Sequence, residues 1–387
     1  MFSLLKYHVR SVFIRWRSTL ATILGIALVV AVFVMVQALA VGLEKSSGNT
    51  GDARNLLITR KGALAESTSL ITRAQLNIIR YLPGIARDTE GQPIVSADLL
   101  IVINLPRRNG EGAANALVRG VSPQGIQLRP QVSLVAGRWF VPGKREVVVS
   151  RRLAARFDRL GIGDTVRTSG QDFLVVGHFD GQRSAFDSEI WVAADEARGV
   201  FDREDYSSVL LRPESAAASA ELVRLLEAER RLKVKAVSEV AYYSEQTKSA
   251  LPIRILGNFL AIVMSVGAVF AAMNTLYASV GARTREIGTL RVLGFRRRSI
   301  LGGFLFEGAV LAGIGGVIGC LLALPLHGYS TGTIGFETFA ESVFDFQITP
   351  ALALQGLVFS VCLGLVGSFF PALRASRLPV IASLKSV

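Results

Sequence analysis

Cysteine is nearly absent from these 387 residues: Cys320 and Cys362 are the two, and both fall in uncharged apolar runs. That excludes a disulfide framework or a cysteine-based metal spacing, and it reads both thiols as small core residues. Histidine is as scarce, with His8, His178 and His327 scattered along the chain and read as solvated or interfacial residues rather than ligands. The sequence has no Gly-x-x-x-x-Gly-Lys-[Ser/Thr] loop to cradle nucleotide phosphates, no His-Glu-x-x-His and no Gly-x-Ser-x-Gly. No catalytic, cofactor or metal site is therefore expected on this chain. Internal repeats and low-complexity stretches are missing too.

Charge is missing in a patterned way. Thr19 to Leu43 is 25 residues without a charge, Ile255 to Ala282 is 28, and Phe346 to Leu373 is 28. Ser299 to Phe336 is uncharged except for Glu307. A helix rises about 1.5 Å per residue, and a bilayer core of about 30 Å takes about 20 residues, so each run can span a membrane. The first run is too long for a signal-peptide core of about 7 to 15 residues and is read as a retained span. Half of the residues are hydrophobic, and their concentration in four runs points to a membrane protein rather than a large globular core.

What charge there is sets an orientation. Residues 1–18 carry Lys6, Arg10, Arg15 and Arg17 with no acid. The 283–298 connector carries Arg283, Arg285, Arg291, Arg296, Arg297 and Arg298 against Glu286, and the 374–387 tail carries Arg374, Arg377 and Lys385. These segments hold +12 of the net +13. The 327–348 loop has only acids, Glu337, Glu341 and Asp345. The positive-inside rule then places both termini and the connector in the cytoplasm, and residues 44–254 and 327–348 outside. Juxtamembrane basic charge facing anionic headgroups accounts for the high pI, so nucleic acid is not an expected partner while the bilayer is.

The expected fold is an α-helical membrane protein with four transmembrane helices, at 19–43, 255–282, 299–326 and 349–373, plus a mixed α/β periplasmic domain of two lobes between helices one and two. Residues 1–18 read as an amphipathic segment in the headgroup plane, because Phe2, Leu5, Val9, Phe13 and Trp16 share a helical face. Within 44–254, strand-like runs occur at 95–103, 116–121, 146–149, 165–168, 172–177, 189–193 and 207–211, and helix patterns at 72–82, 151–160 and 214–231. The strand-rich centre predicts a β-rich lobe, 91–204, inserted into an outer lobe built from 44–90 and 205–250. With no cysteine in it, this domain must be stable through its own core.

The most informative segment is the 283–298 connector. Ile287, Leu290, Val292 and Leu293 are read as one apolar face, Arg285, Glu286 and Arg291 supply directed polar contacts, and Gly288 and Gly294 stand six apart. Such a helix can dock in a groove on a soluble partner, with apolar anchors for affinity and charge for register. Glu307, about two turns into the third span, is costly in lipid and is read as an anchor toward Arg283, Arg291 or a neighbouring chain. Spans one and two are rich in small residues, and Gly25, Ala27, Gly267, Ala268, Ala271, Ala272 and Asn274 mark a candidate close-packed face for a second copy.

Arg283-x-Arg285-Glu286-Ile287-Gly288-x-x-Arg291-x-x-Gly294 resembles the coupling-helix signature of the MacB/FtsX-like permease superfamily of ABC transporters, to which LolC/LolE is also related. Gly367-x-x-x-Pro371-Ala372-x-x-Ala375-x-Arg377 resembles that family's span-four exit. Glu146-Val147-Val148-Val149-Ser150, Gly163-Asp164-x-Val166 and Phe173-x-Val175-Val176-Gly177 are similar to its small β-rich periplasmic lobe. Ala282 departs from the pattern, standing where many relatives have an acid. The resemblance implies an unfused permease subunit in a bacterial inner membrane, working as a homodimer or with a paralogue. It implies a separate ABC ATPase that binds ATP and Mg and grips the connector, and it admits a periplasmic adaptor and an outer-membrane channel as further partners. It implies export from the periplasm or inner membrane by movement of the outer domains. Alternatives within the same superfamily are a signalling scaffold that activates a cell-wall hydrolase, or extraction of lipoproteins or lipids.

Overall fold

The computed structural model describes residues 16–110, 112–246, 251–334 and 340–379. The amphipathic segment expected at 1–18 lies almost wholly outside them, as do Glu337 and Lys385. The chain divides into two compact units: Gly42–Ala250 with Ser330–Asp345, and the remainder, which carries the long helices.

Among the described residues, four helices are long and apolar enough to cross a membrane. Span one runs Trp16–Gly48, span two Leu251–Ala282, span three Arg297–Ala323 and span four Pro350–Arg377. Span one outruns the expected 19–43 because charge ends an apolar run without ending a helix. Glu44, Lys45, Ser46 and Ser47 continue it to Gly48, where a residue of low helix propensity stands. Span four starts on a cap: the Thr349 side chain accepts from the Leu352 N–H, and Pro350 takes the first turn, where its missing N–H costs nothing.

Glycines let the spans approach closely. A Cβ at Gly364 would overlap Ala312 and the Gly308 carbonyl, and one at Gly308 would stand 2.6 Å from Ser368 Cβ. Spans three and four therefore interlock backbone to backbone, as small-residue interfaces do in lipid. The same packing corrects part of the expected dimer face. Gly319 of span three admits the Ala27 carbonyl, and Gly367 of span four faces Ala272. Ala27, Ala268 and Ala272 are buried inside the chain's own bundle. Gly25 is half-buried, while Gly267, Ala271 and Asn274 are exposed.

Among the described residues the larger sheet of the α/β unit has ten strands: β1 Leu56–Arg60, β2 Val95–Pro106, β3 Ala113–Val121, β4 Ser133–Gly137, β5 Glu146–Ser150, β6 Thr165–Thr168, β7 Gln171–Asp180, β8 Glu189–Ala193, β9 Ser208–Leu211 and β10 Val234–Ser238. Their order is β10-β1-β9-β2-β3-β8-β5-β7-β4, with β6 on β7. β2 serves two cores. Val95 to Asp98 pair with β9, and Leu99 to Pro106 pair with β3. Val95 and Ala97 join a core with Ile58, Ile79, Leu211, Leu222 and Val234, while Leu99, Ile103 and Leu105 join another with Val149, Phe157, Phe173 and Ile190. The division between cores thus falls inside β2, not at 90/91.

The helix expected at 151–160 is only Arg151–Ala154. Phe157 instead bridges Arg107, the Asp158 N–H donates to the Pro106 carbonyl, and Arg159 takes a left-handed backbone with φ 55° that ends any helix. The 327–348 segment, expected as a loop, contains a hairpin of β11 Ser330–Ile334 and β12 Glu341–Asp345 that belongs to the α/β unit.

Candidate functional site

The connector forms a helix over Thr284–Val292. It ends in a Schellman arrangement: the Gly294 N–H donates to the Arg291 carbonyl and the Phe295 N–H to the Leu290 carbonyl. Gly294 has φ +90°, which a side chain resists, so this glycine sets the stop. The first turn is fixed at Arg283, whose carbonyl accepts from the Ile287 N–H.

Two inward contacts hold the helix to the spans. Ile287 is buried in a cluster with Val280, Ile300, Phe304, Ala372 and Ala375. Arg283 Nη1 stands 3.4 Å from Glu307 Oε2, with side-chain exposures of 10% and 6%. Of the partners expected for Glu307, Arg283 is thus in reach, whereas Arg291 donates to the Phe295 carbonyl at 3.3 Å. Taking two ions out of water is costly, and only close pairing repays it.

The opposite side is open. Arg285, Glu286 and Gly294 are exposed, Val292 is 60% and Leu293 70% exposed, Leu290 is half-buried and Gly288 is buried. The single apolar face expected from the sequence is therefore split. At 3.6 residues per turn, Val292 and Leu293 lie about 140° and about 120° around the helix from Ile287. Ile287 serves the fold, and Val292 with Leu293 make the outer edge.

Sequence reasoning missed two polar features. Asn258 of span two receives a 2.7 Å hydrogen bond from Gln37 Nε2, and Thr22 donates to Thr275 at 2.9 Å, so two polar links tie spans one and two. Asn258 stood in plain sight in its apolar run. The other is a buried charge core in the α/β unit. Arg119 reaches Glu189, Glu66 and Asp98, while Arg129 reaches Asp98 at 2.6 Å and Glu239 at 3.4 Å. Burial alone would lower the Arg119 guanidinium, but the charges of Glu189 and Glu66 outweigh it and hold it well above its ordinary value. Burial pushes the Glu239 carboxyl up against the opposing pull of Arg129 and Asn55. Among the described residues no cluster of His, Cys, Asp and Glu is arranged to hold a metal ion.

A four-helix membrane unit joined to an extramembrane α/β unit defines a multi-span membrane protein whose one short connector helix is both anchored and open. Residues 19–229 match the MacB-like periplasmic core domain and residues 258–380 the FtsX-like permease C-terminal. The chain belongs to the MacB/FtsX family of ABC transporter permeases, and with its four apolar helices it is an inner-membrane protein. It is 26% identical to the uncharacterized ABC transporter permease YknZ of Bacillus subtilis, over 99% of this chain and 96% of that one. It is 27% identical to the macrolide export ATP-binding/permease protein MacB of Pasteurella multocida over 94% of this chain, and it spans 57% of that relative's length. Among solved structures, the extracellular domain of the noncanonic ABC-type transporter YknZ from Gram-positive bacteria aligns at 19% identity and TM-score 0.36, over 47% of this chain and 99% of that one.

Proposed function

We propose that this chain is a non-catalytic permease subunit that works as a dimer and turns ATP hydrolysis by a separate ABC ATPase into movement of its extracytoplasmic domains, for export from the periplasm or inner membrane. The observation that carries this reading is the 284–292 helix. It is anchored from behind by Ile287 and by the Arg283–Glu307 pair, and it presents Arg285, Glu286, Val292 and Leu293 outward. Force applied to the open edge reaches spans two and three, which flank it in the chain. The absence of a phosphate loop in the sequence supports placing ATP and Mg on the partner. The macrolide-export relatives support the direction of transport.

The basic segments support cytoplasmic termini and a cytoplasmic connector. Gly25, Gly267, Ala271 and Asn274 are the candidate residues for contact with a second copy. The spans carry few polar groups, and one N–H of Gln37 is already given to the Asn258 carbonyl oxygen. A polar cargo stripped of water in hydrocarbon needs replacement partners. We therefore place cargo handling on the outer side.

The test uses Glu286→Ala with Leu293→Ala, both on the exposed edge. The double variant is expected to insert normally but to lose co-purification with its ABC ATPase partner. Undiminished co-purification would make the connector a passive loop.

A further inference from the structure

The acidic segment between spans three and four is fastened to the α/β unit by paired arginines. Glu341, on β12, is 1% exposed and accepts from Arg107 Nη2 at 2.6 Å and from Arg156 Nε at 2.7 Å. Asp345, at the other end of the same strand, is 3% exposed, accepts from Arg152 Nη1 at 2.6 Å, and has Arg183 Nε at 3.2 Å. The arginines come from three separate places: the end of the β2–β3 pair, the 151–156 segment, and the turn after β7. Between the carboxylates, Val343 is buried in the β-rich core and its N–H donates to Ser188 Oγ at 2.7 Å. A Cβ at Gly42 would overlap the Asp345 carbonyl, so the last turns of the first long helix also close on this strand.

The two hairpin carboxylates face four arginines, of which Arg152 also has Asp187 at 3.4 Å, so even with that third carboxylate the guanidinium groups exceed what neutralisation requires. One guanidinium apiece would balance the charge; two from different segments fix position in two directions. The chain leaves span three into this hairpin and leaves the hairpin into span four.

We propose that the β11–β12 strand pair is an ion-clamped tie, held through Glu341 and Asp345, which fastens spans three and four to the α/β unit so that the unit is driven through all four spans rather than through spans one and two alone. The proposal rests on the reading that ATP moves the outer domains. Asp345 and Glu341 are positioning residues in it, acting through the arginines that hold them.

The test uses the full chain with its ATPase in lipid nanodiscs, with Glu341→Gln and Asp345→Asn combined. Hydrogen exchange at 341–345 should accelerate by roughly tenfold or more while the β5–β8 core exchanges as before, because only the tie has opened. The ATP-driven change in distance between the two outer domains, read by spin labels, should fall by more than half, with ATP hydrolysis within about twofold of wild type. Adding Ser188→Cys with Val343→Cys, oxidised to a disulfide, should restore the distance change. Unchanged exchange at 341–345 would overturn the clamp. A full-sized distance change in the variant with an open hairpin would overturn its transmitting role. A wild-type chain with no ATP-driven change would instead overturn the movement reading, and the tie's role with it, while the exchange result still reports on the docking alone.

Discussion

The span unit and the α/β unit bury charge in opposite ways. In the span unit, the buried charged pair described is Arg283 of the connector with Glu307 of span three, and the close packing otherwise rests on glycine, alanine and serine. The α/β unit buries Arg119, Arg129, Glu66, Asp98, Glu189 and Glu239 in one connected core, with the Arg129 guanidinium lying over the rings of Phe186 and Trp191. In lipid an unpaired charge has no solvent to retreat to, so few are used and each anchors something. In the water-facing unit a full network can be dry at its centre, because every member finds partners. The charge core joins residues from many elements, and Glu239 reaches back to Asp52 and Asn55, just beyond span one.

The comparison is broken most strongly at Arg119. Replacing Arg119→Met removes the shared partner of Glu66, Glu189 and Asp98 and leaves buried carboxylates short of charge. A loss of about 3–5 kcal/mol is expected, read as a fall in thermal midpoint and as protease sensitivity of the α/β unit in the full chain. A midpoint within about 2 °C of wild type would mean the network contributes shape rather than stability.

A smaller effect is expected in the spans. Glu307→Gln keeps the volume but leaves Arg283 without its counter-charge. Expression should hold, while ATP-dependent activity should fall about tenfold or more, because the connector loses an anchor that matters only when it is pulled. Full activity in both Glu307→Gln and Glu307→Leu would mean that Glu307 is simply tolerated.

The smallest effect sharpens the comparison through pH. Burial raises the Glu239 carboxyl above its ordinary value. The stability tied to its protonated form is fully present below the unfolded carboxyl value, and it is lost as pH rises through the higher folded value. Asp98 works the other way: burial raises its carboxyl, but Arg129 and Arg119 outweigh that and hold it low. Its contribution is lost only as pH falls through the depressed folded value. Glu239→Gln should therefore flatten the decline in thermal midpoint on the alkaline side of the carboxylate range and leave the acid limb in place. An unaltered alkaline limb would assign that slope to another group.

The membrane half was legible because lipid imposes a coarse code. Runs of 25 to 28 uncharged residues and basic flanks can be read without knowing any contact. The connector was legible as an element, and its residues were named, but not its facing. Ile287, Val292 and Leu293 looked alike until helical rotation separated the buried one from the exposed two. The α/β unit was legible in seven strands of its larger sheet, β2, β3 and β5 to β9. β1, β4 and β10 escaped although β6 and β9 are shorter, so length does not account for the misses; β4 is exposed along most of its course and carries no run of buried apolar residues. The charge core and the hairpin clamp were not legible at all. Arg119 meets Glu189 and Glu66 across 70 and 53 positions, and Arg107 meets Glu341 across 234. No local periodicity encodes such pairs, and the acids of the hairpin were read as topology alone.

The central claim is that ATP on a partner moves the outer domains of two copies of this chain. It is tested most directly by a distance between them. Leu64 is 82% exposed in the α/β unit, so Leu64→Cys, in a chain with Cys320 and Cys362 replaced by serine, accepts a spin label without disturbing the core. Pulsed electron-electron distances should then be compared in nanodiscs with the ATPase bound, nucleotide-free and with ATP trapped by a hydrolysis-blocked ATPase. The account predicts one inter-subunit distance distribution in the free state and a resolved, displaced one with ATP. A single unchanged distribution in both states, in a complex that hydrolyses ATP when unblocked, would contradict it.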